Sequence, residues 1–372
     1  MMEVPLAQGA VRGAEDGGCL RFMGIPFVST AWPREGCGSA GRGDPDGCGG
    51  GWGGWGRLPA GTDARAVALQ AAPPVGALRF QKPQPVPSHE GVMDCTAYAP
   101  RTQCVQHPSP LDLASHPVGE DSLFLNIYAP TEAVGATGAN CPVLFWIHGG
   151  GFQGGCGADP LYDGAHLARR GAIVVTVNYR LGVFGFLPVA GGPANVGIWD
   201  QVEALKWVQH SIGAFGGDRD NVTILGESAG AACVMMLMAS PTANKLFHRA
   251  IPQSGVCYVC ATLAHIGRIW EQVAVDCGAE PTLQAMQELP WQRLLEAQTS
   301  GRYDYPAVPT PGWQHFSAHL GRADLRRCAG RHGRPRARAA PTSRAGRARQ
   351  CSLHRRRSAS RPPAGASLRW RG

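Results

Sequence analysis

A serine between two glycines is the residue of this sequence best suited to carry chemistry. Gly226-Glu227-Ser228-Ala229-Gly230 fits the pattern G-x-S-x-G, in which a sharp turn from a strand into a helix holds a serine in a strained backbone conformation. The two glycines let neighbouring backbone pass closely, and the following helix directs its positive end at the serine oxygen. We predict that Ser228 is a catalytic nucleophile, the alternative being a chance glycine-flanked serine in a loop.

A glycine-rich segment about eighty residues earlier supplies a second candidate element. His148-Gly149-Gly150-Gly151-Phe152 follows an apolar run, and consecutive glycines expose backbone N–H groups that can donate to a developing oxyanion. Such a donor is typically worth about 3 kcal/mol in the transition state. Alone, the segment could be a flexible turn. Paired with the serine turn, it has the HGGG arrangement typical of esterases and lipases.

Alternating strands and helices are predicted to position these two motifs. Apolar runs at 143–147, 172–177 and 222–225 predict strands, and the first two of these are expected to be buried on both faces. Apolar periodicity predicts a helix at 196–212, and a second helix is predicted at 229–239, after the third strand. The alternation predicts an α/β fold built on a mostly parallel sheet with flanking helices.

The positive charge of the chain is concentrated in its last residues. The 372 residues carry a net charge of +8, which alone suggests a nucleic-acid or membrane-surface partner. Residues 321–372 hold 16 arginines and one acid, Asp324, a net +15, whereas the other 320 residues hold 19 bases and 26 acids, a net −7. The body is therefore acidic. We expect nonspecific polyanion binding by the tail, and no specific nucleic-acid partner.

Several functional classes are not indicated by the sequence. No apolar run approaches the length of about 18 residues that a membrane span needs. No signal peptide is visible at the start, which favours a cytoplasmic location. The thirteen cysteines lack paired zinc-ligand spacing. We therefore expect no metal and no cofactor.

Longer motifs make the sequence similar to a known family. The chain resembles the type-B carboxylesterase/cholinesterase family of α/β-hydrolases over residues 3–27 and 71–305. The resemblance rests on Gly24–Phe27, Pro73–Phe80, Glu120–Asn126, His148–Phe152, Asn178–Gly182, Phe215–Asp218, Gly226–Gly230 and Gln253–Gly255.

The resemblance implies a serine carboxylic-ester hydrolase that acts on small-molecule esters. Ser228 would be the nucleophile and acyl carrier, and the N–H groups of Gly150, Gly151 and Ala229 would form the oxyanion hole. Glu227 resembles an acidic residue that shapes the field beside the nucleophile, and Ser254 resembles a supporting serine. The alternatives are that position 227 tolerates many residues and that Ser254 only caps backbone. The sequence leaves the residues that bind substrate unknown.

The chain departs from the family pattern in three places. Residues 28–70 are Gly-rich and interrupt family sequence, so we interpret them as a disordered insertion, either a retained intron or a gene-model error. Ser122 stands where the family usually has a cysteine, so Cys104 would be a buried free thiol rather than half of a disulfide. Residues 306–372 are rich in Arg, Ala and Pro and are interpreted as a disordered tail.

The third departure bears on catalysis. The family places a triad acid and a histidine far after the serine, and recognisable sequence stops near residue 305, so the fold is expected to be truncated on its C-terminal side. The later candidates are Asp324 and four histidines, namely His315, His319, His332 and His354. Recruitment of any of them is disfavoured, because a base must be held rigidly within hydrogen-bond reach. The alternative to an active hydrolase is an inactive fragment or a non-enzymatic, cholinesterase-like binding protein.

Overall fold

The computed structural model describes residues 1–27, 74–85, 88–99, 101–108, 116–255 and 263–299. The predicted insertion at 28–70 and tail at 306–372 lie outside the described residues. Within these ranges the strands are β1 Met2–Leu6, β2 Gly9–Asp16, β3 Cys19–Pro26, β4 Val92–Asp94, β5 Phe124–Pro130, β6 Cys141–Ile147, β7 Ile173–Val177, β8 Gly217–Glu227 and β9 Arg249–Gln253. The helices are α1 Ala165–Ala168, α2 Gly182–Phe186, α3 Val196–Ser211, α4 Ala229–Ala239, α5 Leu263–Asp276, α6 Leu283–Glu288 and α7 Trp291–Thr299.

The strands form one mixed sheet in the order β1-β2-β3-β5-β7-β6-β8-β9, with β4 paired to β2. The pairs from β1 to β7 along this order are antiparallel. The pairs β7-β6, β6-β8 and β8-β9 are parallel, as is the pair of β2 with β4. The predicted parallel sheet is therefore found in the half of the molecule that carries both motifs.

The register of the parallel strands places the two motifs side by side. Ile147 at the end of β6 pairs with Gly226 near the end of β8. The carboxyl ends of parallel strands meet at one edge of the sheet, where ligands of α/β proteins bind. The segment that follows β6 and the serine that follows β8 therefore emerge next to each other.

The apolar runs predicted as strands are buried to different degrees. Every residue of β7 is buried, as expected for a strand covered on both faces. In β6 only one face is buried: Val143, Phe145 and Ile147 are at 0% exposure, whereas Leu144 and Trp146 are half-buried. The prediction that this strand is buried on both faces is therefore wrong, because no element among the described residues covers its second face completely.

Two helices after the central strands cover one face of the sheet. The face of α3 predicted from periodicity is fully buried, with Ile198, Val202, Leu205 and Val208 all at 0% exposure. These residues share one core cluster with the buried side chains of α4 and of β5 to β8. This packing fixes α4, whose first turn lies directly after Ser228.

The C-terminal helices belong to a second apolar cluster, which Arg79 anchors. Residues of α5, α6 and α7 pack with Phe80 and α2. The Arg79 guanidinium binds Glu120 through two hydrogen bonds of 2.5 and 2.7 Å. Its Nη1 donates to the carbonyl oxygens of Met286, Gln287 and Leu289. One buried arginine thus satisfies the carbonyls that the end of α6 leaves without helical partners.

Strand β9 lies at the end of the sheet order and is mostly exposed. It pairs with β8, and among the described residues no strand covers its other edge. Ile251 has 46% of its surface exposed, and Pro252 and Arg249 are exposed as well. No helix in the described part of the chain is long and apolar enough to cross a membrane.

Candidate active site

The serine turn has the strained geometry predicted from its sequence. Ser228 joins the end of β8 to the start of α4 with φ 55° and ψ −120°, a region that residues other than glycine rarely occupy. Its N–H donates to Gln253 O at 2.9 Å, and its carbonyl accepts from Ala232 N–H at 3.1 Å. The half-buried side chain of Ser228 therefore projects from a turn whose backbone is fixed by hydrogen bonds to β9 and to α4.

The two flanking glycines are required by close backbone contacts. A Cβ at Gly226 would lie 2.7 Å from the backbone of Gly230 and 2.7 Å from Ile147 O. A Cβ at Gly230 would overlap Ile147 O directly. These contacts are to backbone, which cannot move aside at low cost. The first turn of α4 can therefore press against the end of β6 only because both positions are glycine.

The glycine-rich segment after β6 touches the serine turn. A Cβ at Gly149 would lie 2.8 Å from Glu227 Oε2 and 3.3 Å from Ser228 Cβ. Gly150 has φ 103°, and a Cβ there would overlap Gly154 O. The segment therefore doubles back on itself beside the nucleophile, a course that only glycine permits at position 150.

Hydrogen bonds to the carbonyls of this segment orient its N–H groups. Gly149 O accepts from His148 Nδ1 at 2.8 Å, and Gly150 O accepts from the N–H groups of Gln153 and Gly154, both at 3.0 Å. The C=O and N–H of one planar trans peptide point in opposite directions. The N–H groups of Gly150 and Gly151 therefore point away from these bonds.

The predicted oxyanion donors are free to bind a ligand. Within the described ranges, Gly150, Gly151 and Ala229 donate no backbone hydrogen bond to another residue. Ala229 is the first residue of α4, so its N–H has no partner inside the helix. Three unpartnered donors beside a strained serine are the arrangement that stabilises a tetrahedral oxyanion, with a single donor worth about 3 kcal/mol.

His148 holds the segment and is itself held by Tyr179. The two rings stack with centroids 4.4 Å apart, and Tyr179 Oη donates to His148 O at 2.9 Å. Complete burial lowers the pKa of His148 to about 4, so the ring is neutral at pH 7. Since a carbonyl oxygen only accepts, the proton of the neutral ring is on Nδ1, where it donates to Gly149 O.

Glu227 and Ser254 both lie near the nucleophile but are exposed. Ser254 has φ 55°, and a Cβ at the next residue, Gly255, would lie 2.7 Å from Ser228 O. The turn that follows β9 therefore packs against the serine turn. The supporting roles of Ser254 and Glu227 stay predictions.

The structure brings no general base to Ser228 within the described ranges. No hydrogen bond joins Ser228 Oγ to a described histidine or acid. The later candidates, Asp324, His315, His319, His332 and His354, lie outside the described residues. The described side chains also form no group of three or more His, Cys, Asp or Glu that could hold a metal ion.

The predicted free thiol lies against the serine that stands in place of its expected partner. Cys104 is buried and unpaired, and Ser122 Oγ donates to its Sγ at 3.1 Å. Burial raises the pKa of the Cys104 thiol well above its usual range. The prediction that Cys104 is a buried free thiol is confirmed.

Sequence reasoning missed two residues that hold the glycine-rich segment, Tyr179 and Gln106. Gln106 is 2% exposed and hydrogen-bonds to Gly155, which lies 49 positions away. No periodicity or local spacing connects such distant residues. The sequence offered one indication only, which is that Gln106 lies two residues after Cys104 within the range that resembles the family.

Comparison with known proteins gives one consistent result. The sequence model of the carboxylesterase family matches residues 70–317. The para-nitrobenzyl esterase of Bacillus subtilis (strain 168) is 47% identical over 196 residues, which cover 50% of this chain and 38% of that protein. Human carboxylesterase 5A is 42% identical over 245 residues, which cover 60% of this chain and 42% of that protein.

Solved structures give the same result. A carboxylesterase of Geobacillus stearothermophilus is 34% identical with a TM-score of 0.64, covering 83% of this chain and 55% of that one. A PNB esterase structure is 33% identical with a TM-score of 0.61, covering 80% and 53%. The chain therefore spans about two fifths of the curated relatives it matches and just over half of the solved structures.

Proposed function

This chain belongs to the carboxylesterase family and has the α/β-hydrolase fold that its sequence predicted, and from that premise we propose that Ser228 is the nucleophile of a carboxylic-ester hydrolase. The observation that carries the proposal is the placement of three unpartnered N–H donors, from Gly150, Gly151 and Ala229, beside a serine at φ 55°. A structural turn needs neither the strain nor the free donors.

The reaction follows from this geometry. Ser228 Oγ gives up its proton to a base and attacks the carbonyl carbon of a small-molecule ester. The oxygen that becomes negative accepts hydrogen bonds from Gly150, Gly151 and Ala229, and the positive end of α4 adds to the same field. The C–O bond to the alcohol breaks, the alcohol leaves with a proton, and water then hydrolyses the ester to Ser228. Glu227 is proposed to stabilise positive charge that develops on the base.

A catalytically silent protein is the second candidate, either an inactive fragment or a non-enzymatic binding relative. The observation that favours it is that the described residues place no histidine against Ser228. A serine without a base is a weak nucleophile at neutral pH. Binding and the oxyanion hole alone leave roughly 10³- to 10⁴-fold catalysis over water, far below a complete triad.

One experiment separates these candidates. The full chain is treated with a fluorophosphonate probe, and turnover of p-nitrophenyl acetate is followed in the same preparation. We expect labelling that is lost in Ser228→Ala and kept in Ser88→Ala, since Ser88 is an exposed serine in another part of the chain. Labelling with turnover supports the hydrolase. A folded protein that is neither labelled nor active supports the silent alternative.

The boundaries of the domain, the insertion and the tail are also a proposal. We propose that residues 1–27 and 71–305 form the carboxylesterase domain, and that 28–70 is an insertion and 306–372 a tail. Support comes from the family match over residues 70–317 and from β1 to β3, which end at Pro26. Sequencing of the transcript tests the division. An uninterrupted reading through codons 28–70 in the dominant mRNA would contradict the retained intron.

A further inference from the structure

Gln106 makes a two-point contact with the end of the glycine-rich segment. Its Oε1 accepts from Gly155 N–H at 2.7 Å, and its Nε2 donates to Gly155 O at 2.9 Å and to Cys104 O at 3.1 Å. The orientation of the amide is determined, because a backbone N–H requires the oxygen and two carbonyls require the nitrogen. The side chain is 2% exposed, so water does not compete for these bonds.

Gly155 lies directly beside the hydrogen bond from His148 Nδ1 to Gly149 O, which orients the N–H of Gly150. A Cβ at Gly155 would overlap His148 Nδ1 and lie 2.9 Å from Gly149 O. These two atoms form the hydrogen bond that points the Gly150 N–H away from His148. Any movement of Gly155 therefore changes the space around that bond.

The residue before Gly155 orients the second donor. Gly154 N–H donates to Gly150 O at 3.0 Å, which points the Gly151 N–H in the opposite direction. Gln106 fixes the peptide on the far side of Gly154. Both donors of the segment are thus connected to Gln106 through one short stretch of backbone.

We propose that Gln106 is a positioning residue, which sets the oxyanion donors of Gly150 and Gly151 by fixing Gly154 and Gly155. This inference rests on the proposed function, because the donors matter only if Ser228 is acylated. The alternative is that Gln106 merely fills space between the segment 101–108 and the sheet. A space-filling residue would be replaceable by an apolar side chain of similar size.

The first test replaces the amide with an apolar group. Gln106→Leu is compared with Gln103→Leu, which changes another buried glutamine in the same segment, whose backbone bonds to Pro117 and Gly119. We expect the fluorophosphonate labelling rate of Ser228 to fall roughly 10- to 100-fold in Gln106→Leu, because small misplacements of catalytic groups have effects of that order. Gln103→Leu should stay within about threefold of wild type. A folded Gln106→Leu protein that is labelled at the wild-type rate would overturn the proposal.

A second readout does not depend on reactivity. Hydrogen exchange is followed by mass spectrometry in proteins that also carry Ser228→Ala. We expect faster exchange in peptides covering residues 148–156 of Gln106→Leu and unchanged exchange in peptides covering α3. If wild type is not labelled at all, the proposed function fails, and the exchange result alone decides the role of Gln106. Unchanged exchange at 148–156 would then refute that role.

The isosteric change Gln106→Glu covers the case in which Gln106→Leu does not fold. A glutamate keeps the acceptor for Gly155 N–H but presents an oxygen to the carbonyls of Gly155 and Cys104, and burial together with these carbonyls disfavours its ionised form. The titratable side chains around this position include His107, the next residue, whose ring contacts Leu295 O. They also include His148, neutral above its pKa of about 4, and the Cys104 thiol, whose pKa is raised by burial. We expect the labelling rate relative to wild type to be near one at pH 5 and to fall by pH 8. A ratio near one at both pH values would overturn the proposal, because it would show that Gln106 acts only by its shape.

Discussion

Replacing His148 by phenylalanine should separate the orientation of an oxyanion donor from the packing around it. Phenylalanine keeps a ring that can stack on Tyr179 at the observed 4.4 Å. It removes the Nδ1 donor, so Gly149 O loses its 2.8 Å hydrogen bond and the Gly149–Gly150 peptide is free to rotate. Loss of one oxyanion donor lowers kcat by about 10²- to 10³-fold.

The same change, although it lowers activity, should make the protein more resistant to unfolding in acid. The pKa of His148 is lowered from 6.5 to about 4 in the folded protein. The unfolded chain therefore takes up a proton at His148 as the pH falls below about 6.5, whereas the folded chain resists protonation until about pH 4. The free energy of unfolding therefore falls as the pH drops from about 6.5 to about 4, because only the unfolded chain takes up this proton. Linkage gives a loss of roughly 2.5 kcal/mol between pH 7.5 and 4.5.

Urea denaturation of wild type and His148→Phe at the two pH values measures this term. Asp121, whose pKa burial raises to about 6, titrates in the same range but contributes equally to both proteins and cancels in the comparison. We expect the difference in unfolding free energy to move by roughly 2.5 kcal/mol in favour of the variant at pH 4.5. A difference that does not change with pH would refute the assignment of His148 as a buried neutral ring. If Ser228 in His148→Phe is labelled at the wild-type rate, the proposal that His148 orients the Gly150 N–H is refuted.

Two further predictions concern the arginines of the chain. Arg79→Met should lower the free energy of unfolding by about 3–5 kcal/mol, because it leaves Glu120 buried without its cation. Arg12→Met removes an exposed pair with Glu3 and should change the free energy of unfolding far less. Urea denaturation checks both variants, and equal effects would contradict the difference in burial. Deletion of residues 321–372 removes a net charge of +15 and should abolish retention on heparin at low salt, whereas persistent retention would show that the acidic body itself binds polyanions.

Local spacing was enough to predict the parts of the site that lie close together in sequence. The pattern around Ser228 predicted the strand, the strained turn and the helix, and each is found where expected. The signal is strong because close backbone contact restricts Gly226 and Gly230 to one residue type. The strand itself is longer than its apolar run, since β8 begins at Gly217 and its polar first half pairs with few neighbours.

Contacts between distant residues could not be predicted from this one sequence. The bond from Gln106 to Gly155 and the stack of Tyr179 on His148 depend on how the chain folds back, and neither leaves a periodic pattern. Burial of one face of β6 was overestimated for the same reason, because an apolar run does not say what covers it. Arg79 is a third case, since its carbonyl partners in and after α6 lie more than 200 residues away.

The edge of β9 that no described strand covers has a consequence for handling the protein in solution. An open strand with an apolar side chain such as Ile251 can recruit a strand from another molecule, and concentrated samples are then prone to precipitate. The neighbouring Pro252 has no N–H to offer such a strand, and the charge of Arg249 disfavours stacking of identical edges. Replacing either residue by valine would remove a natural gatekeeper, so both should be left intact when expression or crystallisation is optimised.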